Sequence, residues 1–246
     1  MYSLFAKPQE MGAIRFISHR GFQPLAPANS IPAFEYAGVF RQWAIETDVH
    51  ATKDGVLVCC HDARVDHLFD GQGAIREMTW RDLCRLRMNQ GNRLSCLADE
   101  EKRMPLFSEY LAICKKFGSI PFIELKTPDI APVLAEIRKA GLGEEEVVMS
   151  SSNLDWLLET RKAADKMFLH WIFGQEERLE ELARAGNAGM SWKIDDPMSE
   201  PTDLIALSHQ AGLKVCLRAA DSVAAVKHML RLGLDYLPSN CMHNPL

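Results

Sequence analysis

Short apolar runs and amphipathic stretches alternate along most of the chain. Strands are predicted over 16–18, 45–49, 121–126, 147–151, 168–173, 188–192, 214–218 and 235–239. Helices with apolar residues at three- and four-residue spacing are predicted between them, over 31–42, 107–117, 131–140, 154–166, 175–185, 202–211 and 222–232. Strands that alternate with helices form a parallel sheet, and the eight strands counted here predict an α/β fold, the TIM (β/α)8 barrel.

An open doubly wound sheet is the alternative architecture for this order of elements. It is less favoured because neither a G-x-G-x-x-G sequence nor a P-loop follows any predicted strand. The last predicted strand has no helix after it, which departs from the ideal barrel order. The TIM barrel remains the better prediction.

The stretch from residue 45 to residue 62 adds a hairpin to this order. Glu46 and Asp48 lie two residues apart on a predicted strand, so both side chains project from the same face. The dipeptide Asp54-Gly55 predicts a tight turn, and the β-rich run 56–60 must return antiparallel to the first strand. The hairpin therefore brings His61 back toward Glu46 and Asp48.

Residues 63–105 interrupt the alternation of strands and helices. The segment is polar, and it contains Gly71-Gln72-Gly73, one predicted helix over 80–87 and a charged run over 99–103. We interpret it as a small insertion over the barrel mouth, without a separate core. Residues 1–246 are therefore expected to form one domain.

Composition narrows the class of protein without identifying it. The chain has 246 residues, 47% hydrophobic and 25% charged, which is typical of a globular protein with a sizeable core. Its net charge of −5 gives no electrostatic footprint for nucleic acid. No apolar run approaches the length of about 18 residues needed to span a membrane. No signal-peptide pattern opens the sequence, and the seven cysteines include no C-x-x-C pair, so reduced thiols and a cytoplasmic location are expected.

Chemically active side chains gather where the predicted strands end. In a TIM barrel the carboxyl ends of the strands form one mouth, which carries the active site. The polar residues predicted there include His19, Arg20, Glu46, Asp48, His61, Glu124, Lys126, Ser150, Ser151, Ser152, Lys193, Arg218 and Asn240. Their convergence from separate strands is the main indication of an enzyme.

Glu46, Asp48 and Glu124 form a set of carboxylates without a cysteine or an evident histidine partner. Hard oxygen donors of this kind suit one divalent cation, Mg²⁺ or Ca²⁺. The alternative is a group of salt bridges to Arg20 and Lys126. Three acids that converge without a cation would repel one another, so the set as a whole favours a metal site.

His19 and His61 are candidates for general acid and general base, because imidazole titrates near neutral pH. A buried structural role is the alternative for each. Lys126 lies two residues after Glu124, where it contacts a phosphate oxygen or only neutralises that acid. The other histidines are interpreted as structural: His50, His67, His170, His209, His228 and His243. A metal, two imidazoles and a cation are the groups that phosphodiester cleavage requires.

The ordered motifs resemble the glycerophosphodiester phosphodiesterase family of TIM barrels, which is related to phosphatidylinositol phospholipase C. The matching residues are His19-Arg20-Gly21, Pro27-Ala28-Asn29-Ser30, Glu46-x-Asp48-Val49, Thr52-x-Asp54-Gly55, His61-Asp62, Gly71-x-Gly73, Pro105 and Glu124-x-Lys126. The resemblance implies a divalent metal on Glu46, Asp48 and Glu124. It also implies that His19 and His61 act as acid and base, with Arg20 and Lys126 on the phosphate. The substrates would be small glycerophosphodiesters, cleaved to sn-glycerol 3-phosphate and an alcohol, with a cyclic phosphate as the expected intermediate.

Three positions depart from the family pattern. Ala28 stands where a glutamate is usual, Leu217-Arg218 replaces Trp-Thr, and Ser239-Asn240 replaces Thr-Asp. None removes a proposed ligand or catalytic histidine, so they bear on the choice of substrate. We interpret Arg218 as a second anion contact for a negatively charged head group. A lyase that stops at the cyclic phosphate, and a barrel that binds a phosphate ligand without catalysis, are the alternative functions.

Overall fold

A computed structural model describes residue 4 and residues 14–194, 196 and 198–245. Its strands are β1 (Phe16–Ser18), β2 (Ala44–Ala51), β3 (Leu57–Cys59), β4 (Ile120–Leu125), β5 (Val148–Ser151), β6 (Phe168–Trp171), β7 (Ala188–Ser191), β8 (Lys214–Cys216) and β9 (Leu237–Ser239). Its α-helices are α1 (Ile31–Val39), α2 (Trp80–Leu83), α3 (Phe107–Phe117), α4 (Ile130–Lys139), α5 (Leu154–Ala163), α6 (Leu179–Ala185), α7 (Thr202–Gln210) and α8 (Val223–Arg231).

The strands form one sheet that is nearly closed on itself. Its order is β8-β7-β6-β5-β4-β2-β1-β9, every neighbouring pair is parallel, and β3 lies outside this path. The two end strands meet through hydrogen bonds from Asp235 N to Val215 O (3.0 Å) and from Ala220 N to Pro238 O (2.8 Å). The prediction of a TIM barrel is therefore confirmed.

The predicted hairpin is also present. β3 pairs antiparallel with β2, and Val49 is opposite Cys59. The turn contains Gly55 at φ +79°, a left-handed conformation that favours glycine. The Cys60 N–H donates to the Asp48 carbonyl at 3.0 Å, so the next residue along, His61, emerges beside the end of β2.

Two apolar layers hold the barrel together. Side chains inside it form one cluster, which includes Ile17, Phe122 and Tyr236. A larger cluster fills the space between the sheet and the helices. Because successive residues of a strand face opposite ways, Val148 belongs to the inner layer and Met149 to the outer one. No helix in the described part of the chain is long and apolar enough to cross a membrane.

The insertion at 63–105 differs from the sequence prediction in two respects. It has a small apolar cluster of its own, in which Phe69, Ile75 and Leu83 pack against Val58 of β3. The predicted helix over 80–87 ends at Leu83, because the chain turns back and donates from Arg87 N to Asp70. Aside from α2, the regular structure described in the insertion is short 3₁₀ turns over 75–77, 94–96 and 99–102.

Predicted element ends are otherwise close to the structure. Strands β4, β6, β7 and β8 end earlier than predicted, whereas β2 extends to Ala51. β6 ends at Trp171, before Phe173 adopts a left-handed φ of +54°. Helix α6 begins at Leu179, after a 3₁₀ turn over 176–178. The expectation that no signal peptide opens the sequence concerns residues 1–13. Apart from residue 4, these lie outside the residues that the structure describes.

Candidate active site

The turn after β1 places the first pair of candidate residues. Arg20 and Gly21 both have positive φ, +57° and +82°, so the backbone turns sharply at the strand end. A Cβ atom at Gly21 would lie 2.7 Å from the backbone carbon of Ala33, so α1 approaches too closely for any other residue. The turn directs the Arg20 N–H to Glu46 Oε2, at 2.7 Å.

β2 presents Glu46 and Asp48 from one face, as predicted. Asp48 is fully buried, and Asn29 Nδ2 donates to its Oδ2 at 2.9 Å. Asn29 is itself held by Thr47, whose hydroxyl donates to Asn29 Oδ1 at 2.8 Å. Arg20 Nε lies 3.6 Å from Asp48 Oδ2. The loop before α1 therefore fixes the orientation of this carboxylate.

β4 brings the third acid beside the first two. In the parallel register Asp48 is paired with Glu124, which sets their side chains next to each other. Lys126 is on the same face and pairs with both acids, with Nζ 3.2 Å from Asp48 Oδ1 and in direct contact with Glu124. Glu46, Asp48 and Glu124 each offer an oxygen within 4.8 Å of the others.

The charges of this cluster make it suited to a cation. Burial, followed by the charges of Asp48 and Glu124, raises the pKa of Glu46 well above its usual value. Burial and the Asp48 charge likewise raise the pKa of Glu124. Burial would also raise the pKa of Asp48, but Lys126, Asn29 and Arg20 outweigh it, and the pKa is lowered. The cluster therefore carries more acidic groups than its own cations neutralise.

One oxygen of the cluster is left without full partners. Asp48 Oδ1 is buried and contacted by Lys126, yet it has no well-formed hydrogen bond among the described residues. An unsatisfied carboxylate oxygen beside two further acids fits the ligand set of a hard divalent cation, which prefers oxygen donors. The residues present therefore fit the metal that the sequence suggested.

Each candidate histidine has a side-chain partner on Nδ1. His61 Nδ1 lies 2.8 Å from Asp62 Oδ1, and because a carboxylate only accepts, the His61 nitrogen donates. His19 Nδ1 lies 2.8 Å from Asn240 Oδ1. Burial and the neighbouring Arg20 charge lower the pKa of His19, so its neutral form is favoured.

A cavity of about 470 Å³ opens at the carboxyl ends of the strands. Asp48 is buried and contacts two residues of the cavity lining, Arg20 and Lys126. The lining of the cavity also includes His170, whose Nδ1 lies 2.6 Å from the Tyr236 hydroxyl. Burial lowers the pKa of His170 to about 3. Seven of the eight predicted site residues line the cavity, namely His19, Arg20, Glu46, His61, Glu124, Lys126 and Arg218.

A second cavity, of about 540 Å³, adjoins the first at Lys126. Arg64 and Arg76 of the insertion line it, together with Trp156 of α5. The insertion thus lies beside the mouth and forms one side of this second cavity. His50, which the sequence analysis interprets as structural, also lines this cavity, and its Nε2 lies 3.4 Å from the His61 carbonyl oxygen.

Sequence reasoning did not assign roles to several residues that hold the site. Asn29 appeared only within a motif, yet it binds Asp48. The sequence places Asn240 at the end of the last strand and assigns it no role, yet it contacts His19 and accepts from Gln23 Nε2 at 2.6 Å. The motif spacing could indicate Asn29, but the pairing of residue 240 with residue 19 depends on closure of the barrel.

Comparison with known proteins agrees with this fold and identifies a family. A model of the glycerophosphoryl diester phosphodiesterase family matches residues 19–240. A glycerophosphodiester phosphodiesterase of Caldanaerobacter subterraneus is 31% identical over 164 residues, which cover 64% of this chain and 65% of that protein. Human glycerophosphodiester phosphodiesterase 1 is 31% identical over 120 residues, which cover 49% of this chain and 35% of that protein. The matches thus span from about a third to two thirds of these relatives.

A solved structure supports the architecture. An Oleispira antarctica phosphodiesterase, crystallised in complex with the product sn-glycerol-3-phosphate, has a TM-score of 0.81 to this chain. The two are 20% identical, and the alignment covers 93% of each chain. At this identity the likeness concerns the fold. With the family match over residues 19–240, these findings show that the chain belongs to the glycerophosphoryl diester phosphodiesterase family.

Proposed function

We propose that this chain hydrolyses glycerophosphodiesters to sn-glycerol 3-phosphate and an alcohol, with the help of one divalent cation. The observation that carries the proposal is the cluster of three carboxylates at the cavity that His19 and His61 also line. Family membership supports the reaction class, and the product bound in the Oleispira structure supports the kind of molecule that this barrel accommodates.

Glu46, Asp48 and Glu124 would hold the cation, Mg²⁺ or Ca²⁺. When bound, it withdraws charge from a phosphoryl oxygen and acidifies a nearby hydroxyl. Asn29 and the Arg20 N–H keep two of these carboxylates oriented before any ion arrives. The preformed orientation reduces the reorganisation that binding requires.

Arg20 and Lys126 are the proposed phosphate contacts. Both line the cavity, and the side chains of both contact Asp48. A phosphate bound to a metal on Asp48 would therefore also contact these two cations. The pKa of Lys126 is raised, because the charges of Glu124 and Asp48 outweigh the effect of burial. The Lys126 ammonium therefore stays charged at neutral pH. Its position between the two cavities allows it to contact the phosphate from the side of the insertion.

His19 and His61 are the proposed proton-transfer groups. One removes the proton from the glycerol hydroxyl that neighbours the phosphate ester. The oxygen of that hydroxyl then bonds to phosphorus as the bond between phosphorus and the oxygen of the leaving alcohol breaks. The other donates a proton to the departing alkoxide, so that the charges balance. Water then opens the resulting cyclic phosphate, and the two imidazoles exchange roles.

Arg218 is the proposed contact for a head group that carries negative charge. It is exposed on the cavity wall beside the buried Leu217, where the family pattern has an aromatic residue. If it binds such a head group, Arg218→Ala raises the KM of a glycerophosphodiester with an anionic alcohol more than that of glycerophosphocholine. Equal effects on the two substrates would make Arg218 a structural charge.

The central test combines chelation with one matched pair of variants. EDTA should abolish hydrolysis of glycerophosphocholine, and Mg²⁺ or Ca²⁺ should restore it. Glu46→Gln should lose activity at least about 100-fold, because it removes a metal ligand. Glu180→Gln changes an exposed glutamate of α6 and should have no effect.

The product distinguishes hydrolysis from the other two functions. Phosphorus NMR should show sn-glycerol 3-phosphate as the final product of the wild-type protein. A cyclic phosphate that accumulates as the end product would identify a lyase instead. Binding of glycerophosphodiesters without any turnover that depends on Glu46 would identify a binding protein, and activity that ignores EDTA would remove the metal from the mechanism.

A further inference from the structure

His19 is held by a side chain that cannot carry charge. Its Nδ1 lies 2.8 Å from Asn240 Oδ1, whereas His61 Nδ1 faces the carboxylate of Asp62. Asn240 has two other side-chain partners. Gln23 Nε2 donates to Asn240 Oδ1 at 2.6 Å, and Asn240 Nδ2 donates to Asp221 Oδ2 at 2.6 Å.

The chemistry of these groups fixes where the protons lie. A carboxylate at Asp221 only accepts, so the NH₂ of Asn240 must face it, and the carbonyl of Asn240 must face His19. A carbonyl cannot donate, so the proton between His19 and Asn240 belongs to His19 Nδ1. The neutral ring then has its lone pair on Nε2.

Asp221 is itself held firmly, although it lies on the surface between β8 and α8. Its Oδ1 accepts from the Asn240 N–H at 2.7 Å and from the Ser239 hydroxyl at 3.0 Å. Both oxygens of Asp221 are therefore used to hold the end of β9. This network joins the loop after β1 and the loop after β8 through the end of β9.

We propose that Asp221, Asn240 and Gln23 are positioning residues that fix His19 as the Nδ1–H tautomer and leave Nε2 for proton transfer. The inference rests on the proposed function, in which His19 exchanges a proton with the substrate. Asp221 acts only through Asn240, which sets the ring orientation and the protonated nitrogen. The same barrel thus has a carboxylate, Asp62, next to His61, and a series of hydrogen-bonded side chains next to His19. We call this series, from Asp221 through Asn240 to His19, the His19 relay.

The first test removes the acceptor that orients the amide. Asp221→Asn offers a donor as well as an acceptor, so Asn240 can turn over and the preference for Nδ1–H is lost. By analogy with the partners that orient metal-ligating histidines, we expect kcat to fall on the order of 10- to 100-fold, with KM unchanged. Asp203→Asn, a matched change of an exposed aspartate in the first turn of α7, should leave kcat unchanged.

The second test restores the relay by exchanging the two side chains. Asn240→Asp alone sets two carboxylates against each other and should lower kcat at least about 10-fold. Combined with Asp221→Asn, it gives an amide that donates to a carboxylate, which again accepts from His19 Nδ1. The double variant should recover kcat to within about threefold of the wild type, a result that loss of folding alone cannot produce.

The third test reads the tautomer without any substrate. Long-range ¹H–¹⁵N NMR distinguishes the two ring nitrogens, and the His19 signals are those that disappear in His19→Gln. The wild type should show Nδ1 protonated, and Asp221→Asn should show a mixture. An unchanged tautomer in Asp221→Asn, or an unchanged kcat, would overturn the proposal. If instead the wild type shows the Nδ1–H form but cleaves no glycerophosphodiester, the proposed function fails and the relay stands.

Discussion

At the scale of single residues, one asparagine determines how Asp48 is presented. Asn29 is buried and lies at φ +52°, a left-handed conformation that asparagine adopts more readily than most residues. In this conformation its amide donates to Asp48 and its carbonyl accepts from Thr47. The loop before α1 therefore contributes to the metal site although it supplies no ligand.

Replacing Asn29 with glycine should weaken the metal site without straining the backbone. Glycine tolerates the positive φ, so Asn29→Gly removes the side-chain hydrogen bonds to Asp48 and Thr47 without straining the backbone. We expect the Kd for Mg²⁺, measured by calorimetry, to rise about 10-fold, as for loss of other partners of metal ligands. Asn187→Gly is a control at a second left-handed asparagine, far along the chain. Equal Mg²⁺ affinity in Asn29→Gly and wild type would contradict the role.

The sequence was sufficient to predict that the eight candidate site residues gather at one end of the barrel, but not every side chain that holds them there. Glu46 and Asp48 could be predicted because strand geometry alone puts residues two apart on one face. The bond between His19 and Asn240 could not, because it joins positions 221 residues apart and depends on how the barrel closes. Spacing along one strand predicts the face from which a side chain projects, whereas contacts between distant positions also depend on the register of the whole sheet.

At the scale of elements, the junction between the insertion and α3 depends on one ion pair. Arg103, at the end of the insertion, donates from Nη1 to Glu109 Oε2 at 2.8 Å and also contacts Oε1. Glu109 accepts from the Leu106 N–H at 2.9 Å, so it caps the first turn of α3 as well. Burial would raise the pKa of Glu109, but these hydrogen bonds outweigh it, and the pKa is lowered.

The lowered pKa of Glu109 predicts a pH-dependent contribution to stability. Because folding lowers this pKa below 4.5, the ionised carboxylate stabilises the fold at neutral pH, and the contribution is lost as the pH falls through the folded value. Glu109→Gln should therefore cost about 1 kcal/mol at pH 7, allowing for solvent screening of a half-buried pair. Urea unfolding should show this difference at pH 7 and almost none well below pH 4.5.

Glu159→Gln provides the control for the Glu109 prediction. It removes an exposed pair with Lys162 within one helix, so its effect should be small at both pH values. If Glu109→Gln were equally destabilising at neutral and acidic pH, the loss would come from packing or capping and not from the charge.

The order of elements was predictable, and their ends less so. The alternation of apolar runs is sufficient for a parallel barrel, because each strand and each helix must bury one face. Helix α2 ends at Leu83 because Asp70, which lies outside the helix, accepts a hydrogen bond from the backbone N–H of Arg87. The cluster inside the insertion was missed because its members, such as Phe69 and Leu83, are separated by polar residues and meet only after folding.

At the scale of the whole molecule, Asp235 joins the two ends of the sheet. Its backbone N–H donates to Val215 O at 3.0 Å, and its Oδ2 accepts from Val215 N at 2.8 Å. Lys214 Nζ donates to Oδ1 at 2.7 Å, and His209 Nε2 bonds to Oδ2 at 3.0 Å. A side chain thus replaces ladder hydrogen bonds where β8 meets the chain that leads into β9.

Removal of the Asp235 carboxylate should therefore loosen the closure of the barrel. Asp235→Ala leaves the Val215 N–H without its acceptor at a buried position, which costs about 2 kcal/mol. Asp235→Asn keeps an acceptor for Val215 and should cost less. Lys214→Met removes a partly exposed ion pair but leaves the Asp235 carboxylate to accept from Val215, so it should cost no more than about 1 kcal/mol. The urea midpoints of the three variants give this ranking.

Hydrogen exchange shows whether the loss is local to the closure. In Asp235→Ala the amides of 214–216, 235–237 and 239 should exchange faster, while those of β4 and β5 keep their protection, because opening between β8 and β9 leaves the other strand pairs intact. The His19 relay depends on the end of β9, so kcat should fall in step with this local opening. Uniform acceleration of exchange across all strands would mean that Asp235 stabilises the molecule globally, and equal costs for Asp235→Ala and Lys214→Met would assign the effect to the ion pair.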